Sequence, residues 1–134
     1  MQTATKANSE GIERKMQALT PYALALLRLV TAFLFLQHAT AKLFGVPHVP
    51  ALDGVPLMSL FGVAGMIELA GGALLLLGLW TRATAFVLSG EMAVAYFLVH
   101  APQGHVFSPI LNNGEMAVMF CFVFLFMAAA GGGA

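Results

Sequence analysis

The amino-acid sequence predicts an all-α membrane protein, an antiparallel bundle of four transmembrane helices with both termini in the cytoplasm. Of its 134 residues, 60% are hydrophobic and 9% are charged, whereas a soluble domain is about half apolar and about a quarter charged. The apolar residues fall into four long runs, at about 22–44, 57–80, 83–101 and 114–130, and a membrane-spanning helix needs roughly 20 such residues. Each run is apolar around its whole circumference, which is typical of helices that face lipid.

The first 20 residues form a polar segment ahead of the predicted four-helix domain of residues 21–134. They do not form a secretory signal peptide, because no apolar stretch with a cleavage site follows a short basic segment. Residues 1–10 are predicted to be a disordered tail. Beyond them, Ile12, Met16 and Leu19 recur at helical spacing, which favours a short helix lying on the membrane surface.

The first and second predicted spans are bounded by turn-forming residues. The first span begins after Thr20-Pro21. A proline at the first position of a helix is tolerated, because the N–H that it lacks would have no partner there. The span ends at Gly45, and residues 45–56 contain three prolines and two glycines, which predicts a loop. The second span ends at Trp80. The short Thr81-Arg82 connection then makes the second and third helices an antiparallel hairpin.

The third and fourth predicted spans are separated by a second loop. The third span ends before Pro102-Gln103-Gly104. The fourth begins after Asn112-Asn113-Gly114, with an asparagine predicted as the N-cap. Glu115 in its first turn suits the positive end of the helix.

Lysine and arginine residues set the predicted orientation. Three of them precede the first helix and Arg82 lies between the second and third helices, while the other two loops contain none. Cytoplasmic loops of membrane proteins carry an excess of these residues. Both termini and Arg82 are therefore predicted to be cytoplasmic.

Charge and cysteine content exclude several classes of function. The formal net charge is zero, so no basic surface for nucleic acid is expected. The single cysteine, Cys121, excludes an intramolecular disulfide and a multi-cysteine metal site. No helix carries histidine and carboxylate residues at metal-ligand spacing, so we expect no metal site. Two histidines on different helices can ligate a haem, but that arrangement alone is not specific to haem and we do not expect one.

Six ionisable residues lie within the apolar runs or at their ends: Arg28, Lys42, Glu68, Arg82, Glu91 and Glu115. A charge that faces lipid costs at least about 2.5 kcal/mol. These residues should therefore face the interior of the bundle and pair with one another.

Depth along the helices predicts two polar layers. At about 1.5 Å per residue, Arg28 and Glu91 both fall roughly 10–13 Å from the cytoplasmic side, which predicts a structural ion pair. Five further residues fall deeper, at roughly 21–27 Å from the cytoplasmic side or slightly beyond: His38, Lys42, Glu68, His100 and Glu115. Their shared depth predicts an outer ligand-binding or proton-handling cluster. Ionisable groups at such depth indicate a functional site by default, although the sequence identifies no catalytic residue.

Structural roles for the same residues stay open. Glu115 can serve only to complement its helix N-terminus, and Lys42 can extend outward to the headgroups. His38 and His100 can be interior histidines with satisfied hydrogen bonds. Arg28 and Glu91 can fix helix register rather than take part in chemistry.

Several segments taken in order resemble the DoxX family of small four-helix membrane proteins. The resemblance rests on Arg28, on Ala41-Lys42-Leu43-Phe44-Gly45, on Glu68-Leu69-Ala70-Gly71-Gly72, on Leu77-Gly78-Leu79-Trp80-Thr81-Arg82, on His100 and on Asn113-Gly114-Glu115. It covers about residues 22–134. Family members usually continue beyond the final glycine run with an aromatic residue and a polar tail, so the resemblance implies a truncated or naturally short chain.

The DoxX resemblance also implies a location and a setting. It implies a multi-pass protein of the bacterial cytoplasmic membrane, in a family named after a subunit associated with a terminal quinol oxidase. Relatives have been linked to thiosulfate oxidation and to membrane-associated redox complexes. The positions that match the family pattern are Arg28, Lys42, Glu68, Arg82 and Glu115, while His38, Glu91 and His100 belong to a subgroup.

Three functional hypotheses follow. The first is a redox-associated subunit whose outer cluster binds a quinone, with His38 and His100 at a quinone carbonyl, Glu68 and Glu115 relaying protons, and Lys42 stabilising negative charge. Nothing in the chain carries electrons, so a partner redox subunit or a bound cofactor is required. The second is a small protein for permeation of protons or solutes. The third is a scaffold or assembly factor whose charges only specify packing. The sequence leaves the oligomeric state open.

Overall fold

The computed structural model describes residues 1–134 and contains helices but no strands. Its four main helices are α1 (Gln2–Phe44), α2 (Leu60–Leu77), α3 (Thr81–Ala95) and α4 (Glu115–Ala130). A π-helical turn at Tyr96–His100 and a short 3₁₀ turn at Ala101–Gln103 continue α3. Two further 3₁₀ turns, Pro50–Leu52 and Pro109–Leu111, lie in the loops.

Three segments are long and apolar enough to cross a membrane: Gln2–Phe44, Leu60–Leu77 and Thr81–Gln103. The fourth apolar helix, α4, has 16 residues. It rises about 24 Å, which is close to the roughly 30 Å of a bilayer's hydrocarbon core. The structure therefore confirms an all-helical, strongly apolar fold. The fourth span and the cytoplasmic placement of both termini stay predictions.

The N-terminal segment differs from the prediction. Residues 2–20 are helical and continuous with the first apolar run, so α1 is one helix of 43 residues with Pro21 inside it. The predicted disordered tail at residues 1–10 is thus helical, because this segment is rich in strong helix formers such as Ala, Lys, Glu and Gln. Pro21 removes only one main-chain hydrogen bond from a long helix. Placement on the membrane surface stays a prediction.

Turn residues fix the other helix ends within a few positions of those predicted. Glycines with positive φ close α1 at Gly45 and α2 at Gly78, which is the conformation that glycine adopts most readily. Ser59 caps α2 through a hydrogen bond from the Gly62 N–H to its hydroxyl. The hairpin between α2 and α3 turns at residues 78–80 rather than at 81–82, because Thr81 already belongs to α3.

The helices associate as two close pairs. α1 packs along α2 and α3 packs along α4, whereas α2 and α3 approach each other less. Glycines of α2 permit this packing: a Cβ at Gly72 would lie 2.7 Å from the Leu36 side chain of α1, and small residues let membrane helices approach closely. An apolar core joins the pairs, formed by Ala32, Phe35, Leu75, Ala85, Leu88, Met92, Phe120, Phe124 and Met127.

Candidate functional site: a polar cavity between the helix pairs

A cavity of about 680 Å³ lies between the two helix pairs, toward the carboxyl end of α1. It is lined by 23 residues, of which 17 are hydrophobic. The other six are His38, Lys42, Glu68, Glu91, His100 and Asn113. All four helices and the loop after α1 contribute to its walls. Ligand sites in proteins are usually cavities of this kind, mostly apolar with a few polar groups.

An ion pair between α1 and α2 forms one wall of the cavity. The Lys42 Nζ lies 2.7 Å from Oε1 and 2.9 Å from Oε2 of Glu68, whose side chain is 1% exposed. The Lys42 side chain is 12% exposed and turns inward to this carboxylate, rather than outward to the headgroups. The Cβ of Lys42 passes beside Gly65, where the missing side chain leaves room for the lysine stem. The two charges therefore satisfy each other inside the bundle.

Glu91 of α3 faces the same ion pair. Its carboxyl group lies beside that of Glu68, close enough for a hydrogen bond between the two groups. Because a carboxylate has no proton to donate, such a bond requires one proton on one of the two groups. The Oε2 atom of Glu91 is buried and has no hydrogen-bond partner. The Lys42 ammonium thus binds Glu68 alone, and Glu91 lies beside the pair with one oxygen unsatisfied.

The predicted ion pair between Arg28 and Glu91 is wrong. The Arg28 guanidinium instead donates to main-chain carbonyls, at 2.6 Å from Leu75 O, 3.1 Å from Leu76 O and 3.0 Å from Gly132 O. These carbonyls lie at the end of α2 and in the glycine tail, where the regular helical hydrogen bonds run out; Leu75 O also accepts from the Gly78 N–H. Glu91 lies ten residues into α3, roughly 15 Å from that level, and is out of reach.

Arg82 binds the end of a different helix. Its guanidinium donates to the carbonyls of Ala128 and Ala129 in the last turn of α4. A cation at this position complements both the free carbonyls and the negative end of the helix dipole. Arg28 and Arg82 therefore join helix ends on the side opposite to the cavity, and neither lines it.

His100 is positioned by a hydrogen-bond network around Asn112. The His100 Nδ1 lies 3.1 Å from the Asn112 carbonyl oxygen, and the imidazole stacks on Tyr96 at a centroid distance of 6.3 Å. The Asn112 side chain is fully buried, with its Nδ2 at 3.1 Å from the Tyr96 hydroxyl. It also donates to the carbonyls of Gly104 and His105 and accepts from the Gly114 N–H.

The Asn112 network was not found from the sequence. There, an asparagine is predicted as the N-cap of α4, whereas the N-cap is Gly114 and makes no side-chain hydrogen bond. The signal that could have revealed the network is the pair of amide residues Asn112-Asn113 ahead of Gly114 in the loop before α4. Such residues often bond to nearby main-chain groups.

His38 and Glu115 occupy contrasting positions. His38 lines the cavity with its ring edge-on to Phe120, 5.8 Å between centroids, and makes no hydrogen bond within the chain. Glu115 is exposed in the first turn of α4 and does not line the cavity. Of the predicted outer cluster, the structure therefore brings four residues into the cavity: His38, Lys42, Glu68 and His100. Glu115 lies outside the cavity, and Glu91 lines it instead. No group of three or more His, Cys, Asp or Glu side chains is placed to hold a metal ion.

Comparison with known proteins places the chain in a family. The profile of the DoxX family matches residues 23–101. An uncharacterized protein of Haemophilus influenzae is 46% identical over 116 residues, which cover 85% of this chain and 87% of that protein. No solved structure matches. The matched segment contains Arg28, Lys42, Glu68 and Arg82, four of the positions on which the resemblance rests. This chain is therefore a membrane protein that belongs to the DoxX family.

Proposed function

We propose that this protein is a redox-associated subunit of the bacterial cytoplasmic membrane whose cavity binds a lipid-soluble ligand of the quinone class. The observation that carries the proposal is the cavity itself, 680 Å³ in volume, with 17 apolar residues and six polar ones. An apolar space suits a hydrocarbon tail, and a small set of polar groups suits one polar ring. A partner redox protein supplies the electron transfer, because no group in the chain carries electrons.

The position of the apolar lining residues supports entry of the ligand from the lipid. Val63 and Ile67 of α2 and Val94 and Leu98 of α3 line the cavity and also remain exposed. They lie on either side of the seam between α2 and α3, which contact each other less than the helices of each close pair do. A ligand dissolved in the bilayer can enter through this seam without crossing water.

The polar residues have distinct roles in this proposal. His38 and His100 face the head group from α1 and from the end of α3. Lys42 and Glu68 neutralise each other, so a neutral head group meets no unbalanced fixed charge on that wall. Burying an unpaired charge beside a neutral ligand would be costly.

A matched pair of space-filling variants tests the proposal. Ala64 lines the cavity, whereas Met66 on the same helix does not and is exposed toward the lipid. We expect a decyl-substituted benzoquinone to raise the Tm of the purified parent protein and of Met66→Phe but not of Ala64→Phe. Extraction of the purified parent should also yield bound quinone by mass spectrometry. A Tm unchanged by quinone in the parent, together with a quinone-free extract, overturns the proposal.

The two rival hypotheses give different outcomes. Permeation requires a path through the bundle, but the apolar core around Phe35, Leu88 and Phe124 fills the half beyond the cavity. Proton flux into liposomes that is lost in Glu68→Gln would favour permeation. A scaffold role predicts instead that Glu68→Gln and His38→Ala change stability alone, with any cellular phenotype following protein abundance.

A further inference from the structure

The first half of α1 stands apart from the bundle. Residues 2–20, here called the N-terminal arm, are helical and continuous with the rest of α1, and none of their side chains is buried. At about 1.5 Å per residue the arm extends roughly 28 Å beyond Pro21. An isolated helix of this length is only marginally stable in water. A surface that covers one side of the arm would therefore stabilise it.

The arm carries one apolar stripe. Ile12, Met16 and Leu19 are spaced four and three residues apart, so they lie on one face of the helix. Their side chains are 62%, 62% and 56% exposed. Glu10 and Arg14, each two residues from Ile12, lie about half a turn away on the opposite face. The arm is thus amphipathic, and its apolar face has no partner within the chain.

The apolar stripe continues the lipid-facing side of α1. Leu26 follows Leu19 by seven residues and Val30 follows Leu26 by four, which keeps both on the face of the stripe. Both side chains are exposed in the apolar part of α1, at 62% and 49%. Leu24 and Arg28 are buried and lie on the other side of the helix. The face that carries the stripe is therefore the face that meets lipid farther along α1.

Pro21 sets the direction in which the arm bends. It lies nine residues after Ile12, which is about two and a half turns and hence the opposite face. A proline inside a helix makes no hydrogen bond to the carbonyl four residues before it, and its ring crowds that carbonyl. The helix therefore opens on the proline side and bends away from it. At Pro21 this bend carries the arm toward the side of the apolar stripe, which is the lipid side of α1.

Contacts with the glycine tail hold α1 from Pro21 onward. The Pro21 carbonyl accepts a hydrogen bond from the Ala134 N–H at 3.0 Å. A Cβ at Gly133 would overlap the same carbonyl oxygen and would lie 2.6 Å from the Ala25 nitrogen, so the tail packs directly against this turn. Pro21 thus lies at the boundary between a held segment and an unsupported one.

We propose that the N-terminal arm binds the lipid surface beside α1, bending at Pro21 so that Ile12, Met16 and Leu19 enter the lipid layer. The contact is separate from the proposed function and does not depend on any ligand of the cavity. Helices of this kind bury their apolar face about 5–10 Å into the boundary between headgroups and acyl chains. The arm has three basic and two acidic side chains, so apolar burial rather than attraction to anionic lipid drives the contact.

Fluorescent labels on the two faces of the arm test this contact in the whole protein. Cys121→Ala removes the single cysteine, and Met16→Cys or Arg14→Cys then adds one for an environment-sensitive nitrobenzoxadiazole label. The protein is reconstituted into vesicles of neutral lipid at low density, so that copies stay apart. We expect the label at position 16 to emit at shorter wavelength and to be quenched by a nitroxide near the top of the lipid acyl chains. The label at position 14 should stay in water and escape quenching.

The variant Pro21→Ala tests the bend. Without the proline the helix continues straight, so the label at position 16 should lose both its blue shift and its quenching. Pro50→Ala, in the loop after α1, is the matched control and should leave both unchanged. Unchanged quenching in Pro21→Ala would overturn the assigned bend.

Three further results would overturn the lipid contact. Equal spectra from positions 14 and 16 would show an arm that lies in water. A blue shift at position 16 without quenching by the lipid-attached nitroxide would show a protein contact instead. A blue shift that appears only at high protein density would show pairing with a second copy. Because both labelled proteins share the Cys121→Ala background, the difference between them does not depend on that substitution.

Discussion

Replacing Glu68 by glutamine leaves the Lys42 ammonium inside the bundle without its counter-charge. The pair is held by two contacts of 2.7 and 2.9 Å, and the side chains are 12% and 1% exposed. Breaking a buried ion pair on one side costs about 3–5 kcal/mol, because the remaining charge is not compensated. We expect Glu68→Gln and Lys42→Met each to lower the free energy of unfolding by that amount.

The double variant Lys42→Met and Glu68→Leu should behave differently. Replacing both charges by apolar side chains of similar volume is often neutral or stabilising, so its free energy of unfolding should lie within about 1 kcal/mol of the parent or above it. Unfolding in mixed micelles is followed by circular dichroism. Lys15→Met, at an exposed position in the N-terminal part of α1, is the control and should change the free energy by less than about 0.5 kcal/mol.

A different pattern would refute this reasoning. If each single substitution costs under about 1 kcal/mol and the double variant equals their sum, the two charges do not depend on each other. The cavity wall would then not be organised by the ion pair between α1 and α2.

Three further substitutions test the packing around the cavity. Arg28→Met should lower the free energy of unfolding by about 3 kcal/mol in the same assay, because the guanidinium donates to three main-chain carbonyls. A cost under about 0.5 kcal/mol would contradict this role. Gly72→Ala should cost about 1–3 kcal/mol, since its Cβ would meet the Leu36 side chain at 2.7 Å. The matched control Gly90→Ala, whose Cβ would have no atom within 4 Å, should stabilise α3 by about 0.5–1 kcal/mol. Equal effects of the two substitutions on the free energy of unfolding would contradict the close packing at Gly72. Asn112→Ala should cost about 2–4 kcal/mol, because it leaves several buried partners unsatisfied. It should also weaken binding of the decyl-substituted benzoquinone measured by calorimetry; unchanged stability and affinity would count against the network.

Helical spacing and depth were enough to predict most of the site from the sequence. His38 and Lys42 lie four residues apart on one face of α1, and Glu68 lies between glycines on a face of α2. Such patterns depend only on the regular rise and turn of a helix. The structure brings these residues into one cavity together with His100.

The predictions that failed depend on features that periodicity does not contain. The partners of Arg28 are main-chain carbonyls, which are invisible when side-chain charges are matched by sign. The ion pair between Arg28 and Glu91 was predicted from their depths in the membrane. Those depths were counted from predicted helix ends that differ by two or more residues from the ends in the structure. Glu115 lies at the predicted end of its helix but points away from the cavity, and its depth alone could not show that direction.

The loop before α4 shows a third limit. The role of Asn112 arises because the loop returns over the end of α3 and brings its side chain to the Tyr96 hydroxyl. That contact joins residues 16 apart through irregular backbone. Turn propensity predicts a bend at this point, but not which buried groups the bend brings together.

Photolabelling in membrane vesicles tests the central claim, that a quinone-class ligand occupies the cavity between the helix pairs. A benzoquinone carrying a photoreactive azide is added to vesicles containing the protein, irradiated, and its attachment site is mapped by peptide mass spectrometry. We predict attachment to cavity-lining residues between Glu91 and His100, prevented by excess decyl-substituted benzoquinone without the azide. Attachment only to lipid-facing residues such as Phe86 and Val87, unaffected by the competitor, would contradict the account.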